Sequence, residues 1–159
     1  MKKQEKQMLI DSLHKGLVDS ESVVVAYYRG MTVSQISDLR KSAKNAGVSV
    51  KVFKNTLARL ALKGTKFEGL SSSFSGPTLI AFAPDIVTPS KVMYNYSKEN
   101  NNLQLIAGAT VSEVLDVDGV LRYASLPTLD EARAGIAMLL KAAASKIAMV
   151  LDAKAKKTA

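Results

Sequence analysis

Residues 22–53 read SVVVAYYRGMTVSQISDLRKSAKNAGVSVKVF, and their pattern decides the fold. Ser22 to Tyr28 is a run of β-branched and aromatic residues, the composition of a buried strand. Arg29-Gly30 turns the chain. Thr32 and Gln35 stand three apart ahead of a stretch with helical periodicity, which is the signature of a capping box, so a helix starts here. It buries Val33, Ile36, Leu39 and Ala43 on one face and stops at Gly47. Val48 to Phe53 then alternates apolar and polar residues, as a second strand does. The stretch is one β-α-β unit.

On its N-terminal side, Lys3 to Leu17 carries Met8, Leu9, Leu13 and Leu17 at helical spacing, with Gly16 near its end. On its C-terminal side, Asn55 is placed to cap a short helix, TLARLAL, closed by Gly64. The serine-rich turn LSSSFSGP leads into a third strand, Thr78 to Ala83. Thr88-Pro89 supplies N-cap and N1 residues for a helix running to about Glu99. Asn100 to Asn102 form a loop, Leu103 to Thr110 a fourth strand, and Asp116 to Ala124 a short helix. Two β-α-β halves predict an α+β fold, a ferredoxin-like sandwich with a small sheet covered on one side by helices. This first domain spans residues 1–126.

Leu126-Pro127 breaks the chain, and residues 127–159 differ in character. Thr128 and Glu131 form a second capping box. The stretch that follows has no proline as far as Lys157, and Leu129, Ile136, Leu140, Ala143, Ile147 and Val150 mark an apolar stripe. A single helix of about 29 residues reaches ~43 Å. That exceeds what a domain of ~125 residues, with a radius of gyration of ~14 Å, can cover. Part of the stripe is therefore expected to project and to need a partner. A break near Ala142 to Ser145, giving two helices, is the alternative.

Composition narrows the function. The chain has 159 residues, no cysteine and one histidine, which excludes disulfides and thiolate metal sites and argues against zinc. No serine or threonine has an evident activating base, and no phosphate-loop pattern occurs. Asp116 and Asp118 begin what could pass for a calcium loop, but the rest of that pattern is missing, and helix capping is the simpler role. His14 reads as a rim residue. The charged N-terminus does not suit a secretory signal, and no apolar run approaches the ~20 residues of a membrane span, so a soluble, intracellular protein without a membrane partner is expected.

The formal net charge is +8. Nine basic residues between Arg29 and Lys66 face a single acid, Asp38, while elsewhere basic and acidic residues cancel. Such concentration marks a polyanion partner rather than an ordinary solvated face. Arg40 and Lys44 share one helix face, Arg59 and Lys63 another. Lys51 lies on the second strand, with Lys54-Asn55 at its exit. The two arginine–lysine pairs are expected to converge on one strand end and grip phosphates.

The run YYRGMTVSQISDLRKSAKNAGVSVKVFKNTLARLAL, then FSGPTLIAF, then SLPTLDEA, resembles the bacterial large-subunit ribosomal protein L-ten family, with a match from end to end. The resemblance implies a cytoplasmic, ribosomal protein whose N-terminal domain binds large-subunit rRNA at the stalk base, beside ribosomal protein L-eleven. It implies a C-terminal helix bearing dimers of the acidic stalk protein L-seven/L-twelve, which recruit translational GTPases. In some bacteria the same complex represses its own messenger RNA.

By position, the resemblance assigns rRNA contacts to Arg29, Gly30, Arg40, Lys44, Lys51, Lys54, Asn55, Arg59 and Lys63. Gly30 would allow close approach of backbone to phosphate, and Lys54-Asn55 would reach RNA backbone or a base edge. It assigns stalk-protein contacts to Leu140, Ala143, Ile147, Val150 and Leu151. One departure is that Ala142 to Ala144 stand where proline or glycine often separates the last two helices of the family, which leaves one or two bound dimers open. A ribosome assembly factor occupying the same rRNA site is the second reading, against which the amphipathic tail argues. An enzyme acting on a phosphorylated substrate is the third, against which the missing catalytic constellation argues.

Overall fold

The computed structural model describes residues 3–158, with the side chains of 3–5, 143–144 and 155–158 excepted. Helix α1 (Lys3–Val18) precedes strand β1 (Ser22–Tyr27), helix α2 (Val33–Asn45), strand β2 (Ser49–Val52) and helix α3 (Asn55–Leu62). A 3-10 segment (Glu68–Ser73) leads to strand β3 (Thr78–Ala83), helix α4 (Thr88–Glu99) and strand β4 (Gln104–Thr110). Strand β5 (Val114–Asp116), helix α5 (Val117–Ser125) and helix α6 (Leu129–Thr158) complete the order. The chain divides into two compact units, Met1–Leu126 and Pro127–Ala159.

The strands form one sheet in the order β2-β3-β1-β4-β5, with every neighbouring pair antiparallel. The first four follow the interleaving of two β-α-β halves that defines the ferredoxin-like arrangement. Strand β5 adds an edge strand beside β4, which the sequence reading did not include. It pairs Leu115 with Gly108 and so covers an edge that would otherwise be open.

The expectation of helices on one side of the sheet is corrected: helices cover both faces. Val23, Val25, Ile80 and Phe82 pack with Leu13 and Leu17 of α1, with Ala58, Ala61 and Leu62 of α3, and with Phe67, Leu70 and Phe74. Val24, Ala26, Leu79 and Ala81 pack with Leu39 and Ala43 of α2, Met93 and Tyr96 of α4, and Val120 of α5. The reason lies in β1 itself. Side chains alternate between faces along a strand, and Val23 to Ala26 is apolar at every position, so both faces must be buried.

Caps decide where the helices begin. Thr32 and Gln35 make both bonds of a capping box at the start of α2, as the spacing predicts. Thr128 and Glu131 do the same ahead of α6. Two expected caps are corrected. Asn55 does not cap α3, because Lys54 holds the N-cap position and makes no side-chain bond there. The N-cap of α4 is Val87 rather than Thr88. The Asp85 carboxylate accepts from both the Thr88 amide and its hydroxyl, so the acid serves the helix start. Asp116 occupies the N-cap position of α5 without a side-chain bond. His14, half-buried, donates from Nδ1 to the Ala61 carbonyl at 2.9 Å and so links α1 to α3.

In the second unit, α6 is a single helix of 30 residues, with no break between Ala142 and Ser145. Its apolar side chains are exposed, from 61% at Ile136 to 78% at Leu140. The sequence expectation about membranes is qualified here. Leu129–Lys154 is long and apolar enough to cross a membrane by length and composition, because alanine, leucine, isoleucine and methionine predominate in it and Lys141 and Lys146 are the only charged residues in 134–151.

Candidate functional site

The antiparallel pairing sets one end of the sheet. Tyr27 sits opposite Thr78 on one side and Gln104 on the other, and Val52 sits opposite Leu79. The exits of β1 and β2 and the entries of β3 and β4 therefore lie together. This end carries Arg29 and Gly30 after β1, and Lys54 and Asn55 after β2.

Hydrogen bonds tie these connections to one another. The Tyr28 amide donates to the Pro77 carbonyl at 3.3 Å. Asn55 donates from Nδ2 to the Gly76 carbonyl at 2.8 Å, and its Oδ1 accepts from the Thr78 hydroxyl, also at 2.8 Å. Asn102 donates from Nδ2 to the Gly30 carbonyl at 3.0 Å. Gly30 and Gly76 have φ of 87° and 71°, a region that a side chain disfavours, so both tight connections depend on glycine.

Two grooves open on this end and share Gly76 and Pro77. The larger, of ≈ 470 Å³, runs past Tyr27, Arg29 and Ser75 to Asn101, Asn102 and Gln104. The other, of ≈ 370 Å³, is walled by Tyr28, Phe53, Lys54, Asn55 and Thr56. Arg29 and Lys54 are exposed at their mouths, while Asn55 is half-buried.

Arg59 and Lys63 continue the basic surface along α3. The Arg59 guanidinium donates to the Phe74 carbonyl, which fixes the arginine beside the segment leading into β3. Both residues line a third groove with Glu68, Ser71 and Ser72. Lys51 points from β2 to the same sheet face, its Nζ 6.0 Å from the Phe82 ring centroid.

The expected convergence of the two arginine–lysine pairs is corrected. Helix α2 packs through Leu39 and Ala43 on the sheet face opposite α3. It also runs away from the Arg29 end, so Arg40 and Lys44 lie near its C-terminus, exposed and apart from Arg59 and Lys63. The nine sequence-derived residues thus divide. Arg29, Gly30, Lys54 and Asn55 share the sheet end, with Arg59 and Lys63 along one flank; Lys51 lies on the same face, its ammonium leaning toward Phe82 farther along β3. Arg40 and Lys44 make a separate patch. Asn101, Asn102 and Gln104, which line the larger groove, are not among those nine. Their only signal was a polar loop, NNN, adjoining a strand.

In the second unit, Ile147, Val150 and Leu151 lie three and four apart and line a shallow apolar groove with Lys146. Leu140 is exposed on the same helix. Ala143 belongs to that helix, but its side chain lies outside the described residues.

The amino-acid sequence has relatives. The family model "Ribosomal protein L10" matches residues 1–98. Proteins named "Large ribosomal subunit protein uL10" match over most of both chains. The one from Brucella suis is 42% identical over 159 residues, covering 100% of this chain and 92% of its own. That from Brucella canis is 43% identical over 155 residues, covering 98% and 90%. That from a Chelativorans species is 43% identical over 152 residues, covering 96% and 88%.

Proposed function

Because the chain belongs to the ribosomal protein L10 family and is thereby a constituent of the large ribosomal subunit, we propose that it anchors the ribosomal stalk. In this reading the first unit binds large-subunit rRNA at the stalk base, beside ribosomal protein L-eleven. Helix α6 holds dimers of the acidic protein L-seven/L-twelve, which recruit translational GTPases. The protein acts in the cytoplasm, on ribosomes, as a structural component and not as an enzyme.

The observation that carries the RNA half is the sheet end where Arg29 and Lys54 flank two grooves, with Arg59 and Lys63 along one side and Lys51 on the same face. Guanidinium and ammonium groups on a fixed backbone neutralise phosphates, and glycines at 30 and 76 let backbone come close. The tail half rests on the exposed apolar side chains of Leu140, Ile147, Val150 and Leu151. An amphipathic helix laid in the apolar groove of a partner removes such a stripe from water, at ~1.5 to 3 kcal/mol per fully buried aliphatic side chain in transfer terms.

The RNA half is tested by titrating a stalk-base rRNA fragment against the protein at several salt concentrations. Each neutralised phosphate contributes ~0.7 to 0.9 to the logarithmic slope, so about five cations predict a magnitude of ~3.5 to 4.5. Lys54→Ala should lower that slope by one increment. A flat salt response would contradict the proposal.

A further inference from the structure

From the larger groove at the sheet end we infer that the protein reads one unpaired nucleotide of its RNA by the edge of the base. This rests on the RNA-anchoring role proposed above and names the group that its central groove takes. Asn55, the amide next to Lys54, is the residue to which the family resemblance assigns a base contact. Its Nδ2 is engaged by the Gly76 carbonyl and its Oδ1 by the Thr78 hydroxyl, so it braces the rim instead.

The neighbouring groove holds what Asn55 lacks. Its volume of ≈ 470 Å³ exceeds that of a single base, and it is open at one side. Among the described residues, the Asn101 and Gln104 amides and the Arg29 guanidinium lining it make no hydrogen bond within the chain. Asn102 is held by its bond to the Gly30 carbonyl, which leaves its Oδ1 as a positioned acceptor. An amide group offers a donor and an acceptor side by side, the pairing that a Watson–Crick or Hoogsteen edge presents in complement.

The half-buried Tyr27 and the Pro77 ring supply flat apolar surface on which a base can lie. Arg29 at the mouth meets the phosphate of the same nucleotide. A duplex cannot enter such a groove, because its bases are stacked and paired. A nucleotide extruded from a bulge or junction can.

The experiment compares wild type, Lys54→Ala and the double variant Asn101→Ala/Gln104→Ala on the same stalk-base rRNA fragment. Affinity is measured across salt concentrations, and the RNA is probed with base-specific reagents and with hydroxyl radicals. The double variant should bind about tenfold more weakly with an unchanged salt slope, because it loses base contacts and no charge. Wild type should protect the pairing edge of one unpaired base. The double variant should lose that protection and keep the backbone footprint.

Wild-type affinity in the double variant, or a footprint with no protected base edge, would overturn the inference. If wild type itself fails to bind with salt dependence, the anchoring role fails, and that outcome is distinct. Thermal melts of the double variant should match wild type, because both side chains are exposed.

Discussion

Asn55→Ala is expected to weaken the fold and the RNA site together, although the residue sits at a surface rim. Two bonds of 2.8 Å are lost, one to the Gly76 carbonyl and one from the Thr78 hydroxyl. Gly76 is exposed, so water replaces its lost donor at little cost. Thr78 is only 3% exposed, and its hydroxyl is left without its acceptor. A buried polar group stranded in this way costs ~1 to 3 kcal/mol. For a unit of this size that lowers the melting temperature by roughly 4 to 12 °C. Circular dichroism melts read the shift directly. Asn55→Asp should recover much of it, because the carboxylate still accepts from Thr78. Both grooves include Gly76, so RNA affinity should fall in Asn55→Ala as well. Lys54→Ala should lose affinity with no change in melting. If Asn55→Ala melts with wild type while Lys54→Ala melts early, the assignment of bracing and binding roles is reversed.

Gly108→Ala should destabilise the sheet by ~1 to 3 kcal/mol, since its Cβ would lie 2.8 Å from Val120 Cγ2 and 3.3 Å from the Val23 carbonyl oxygen; an unchanged urea midpoint would refute this. Burial, with smaller effects from Asp38 and Glu99, raises the Tyr96 hydroxyl above its ordinary pKa of 10.0. Its contribution is therefore present below the unfolded value and lost as pH climbs through and beyond 10. Tyr96→Phe should flatten that alkaline loss while costing ~0.5 to 1.5 kcal/mol at neutral pH for the bond to the Gln35 carbonyl, and identical alkaline unfolding curves would show the reasoning wrong. Arg40→Ala/Lys44→Ala should reduce RNA affinity independently of Lys54→Ala, with additive free energies, because the two patches lie apart on the protein and share no side-chain contact. Marked non-additivity would mean that they form one site after all.

Much of the first unit is legible in its sequence because the signals are local. The capping boxes at Thr32 and Thr128 fix helix starts through residues three apart, and both form. The strand SVVVAY announces itself by composition. Its burial on both faces was also written there, in the absence of alternation, but the ferredoxin-like pattern invites a one-sided reading. Strand β5 is three residues long, and VLD has no periodicity to detect.

What failed was non-local. Helical spacing shows that Arg40 and Lys44 share a face, and likewise Arg59 and Lys63. It cannot say that a sheet stands between the two pairs. That follows from the path of the chain, which carries α2 across one face and α3 across the other. The role of Asn55 was hidden for the same reason. Its partners, Gly76 and Thr78, lie 21 and 23 residues away. Asn101, Asn102 and Gln104 carry no charge and resemble any polar loop until the pairing of β1 with β4 sets them beside Arg29.

Native mass spectrometry of the full chain, mixed with the stalk-base rRNA fragment and the acidic stalk protein, tests the two-part anchor most directly. Wild type should give a ternary complex. Ile147→Asp/Leu151→Asp should keep the RNA and lose every stalk-protein dimer, because the variant would carry unpaired charges into an apolar groove. Stalk dimers retained at wild-type stoichiometry, or RNA lost along with them, would contradict the account.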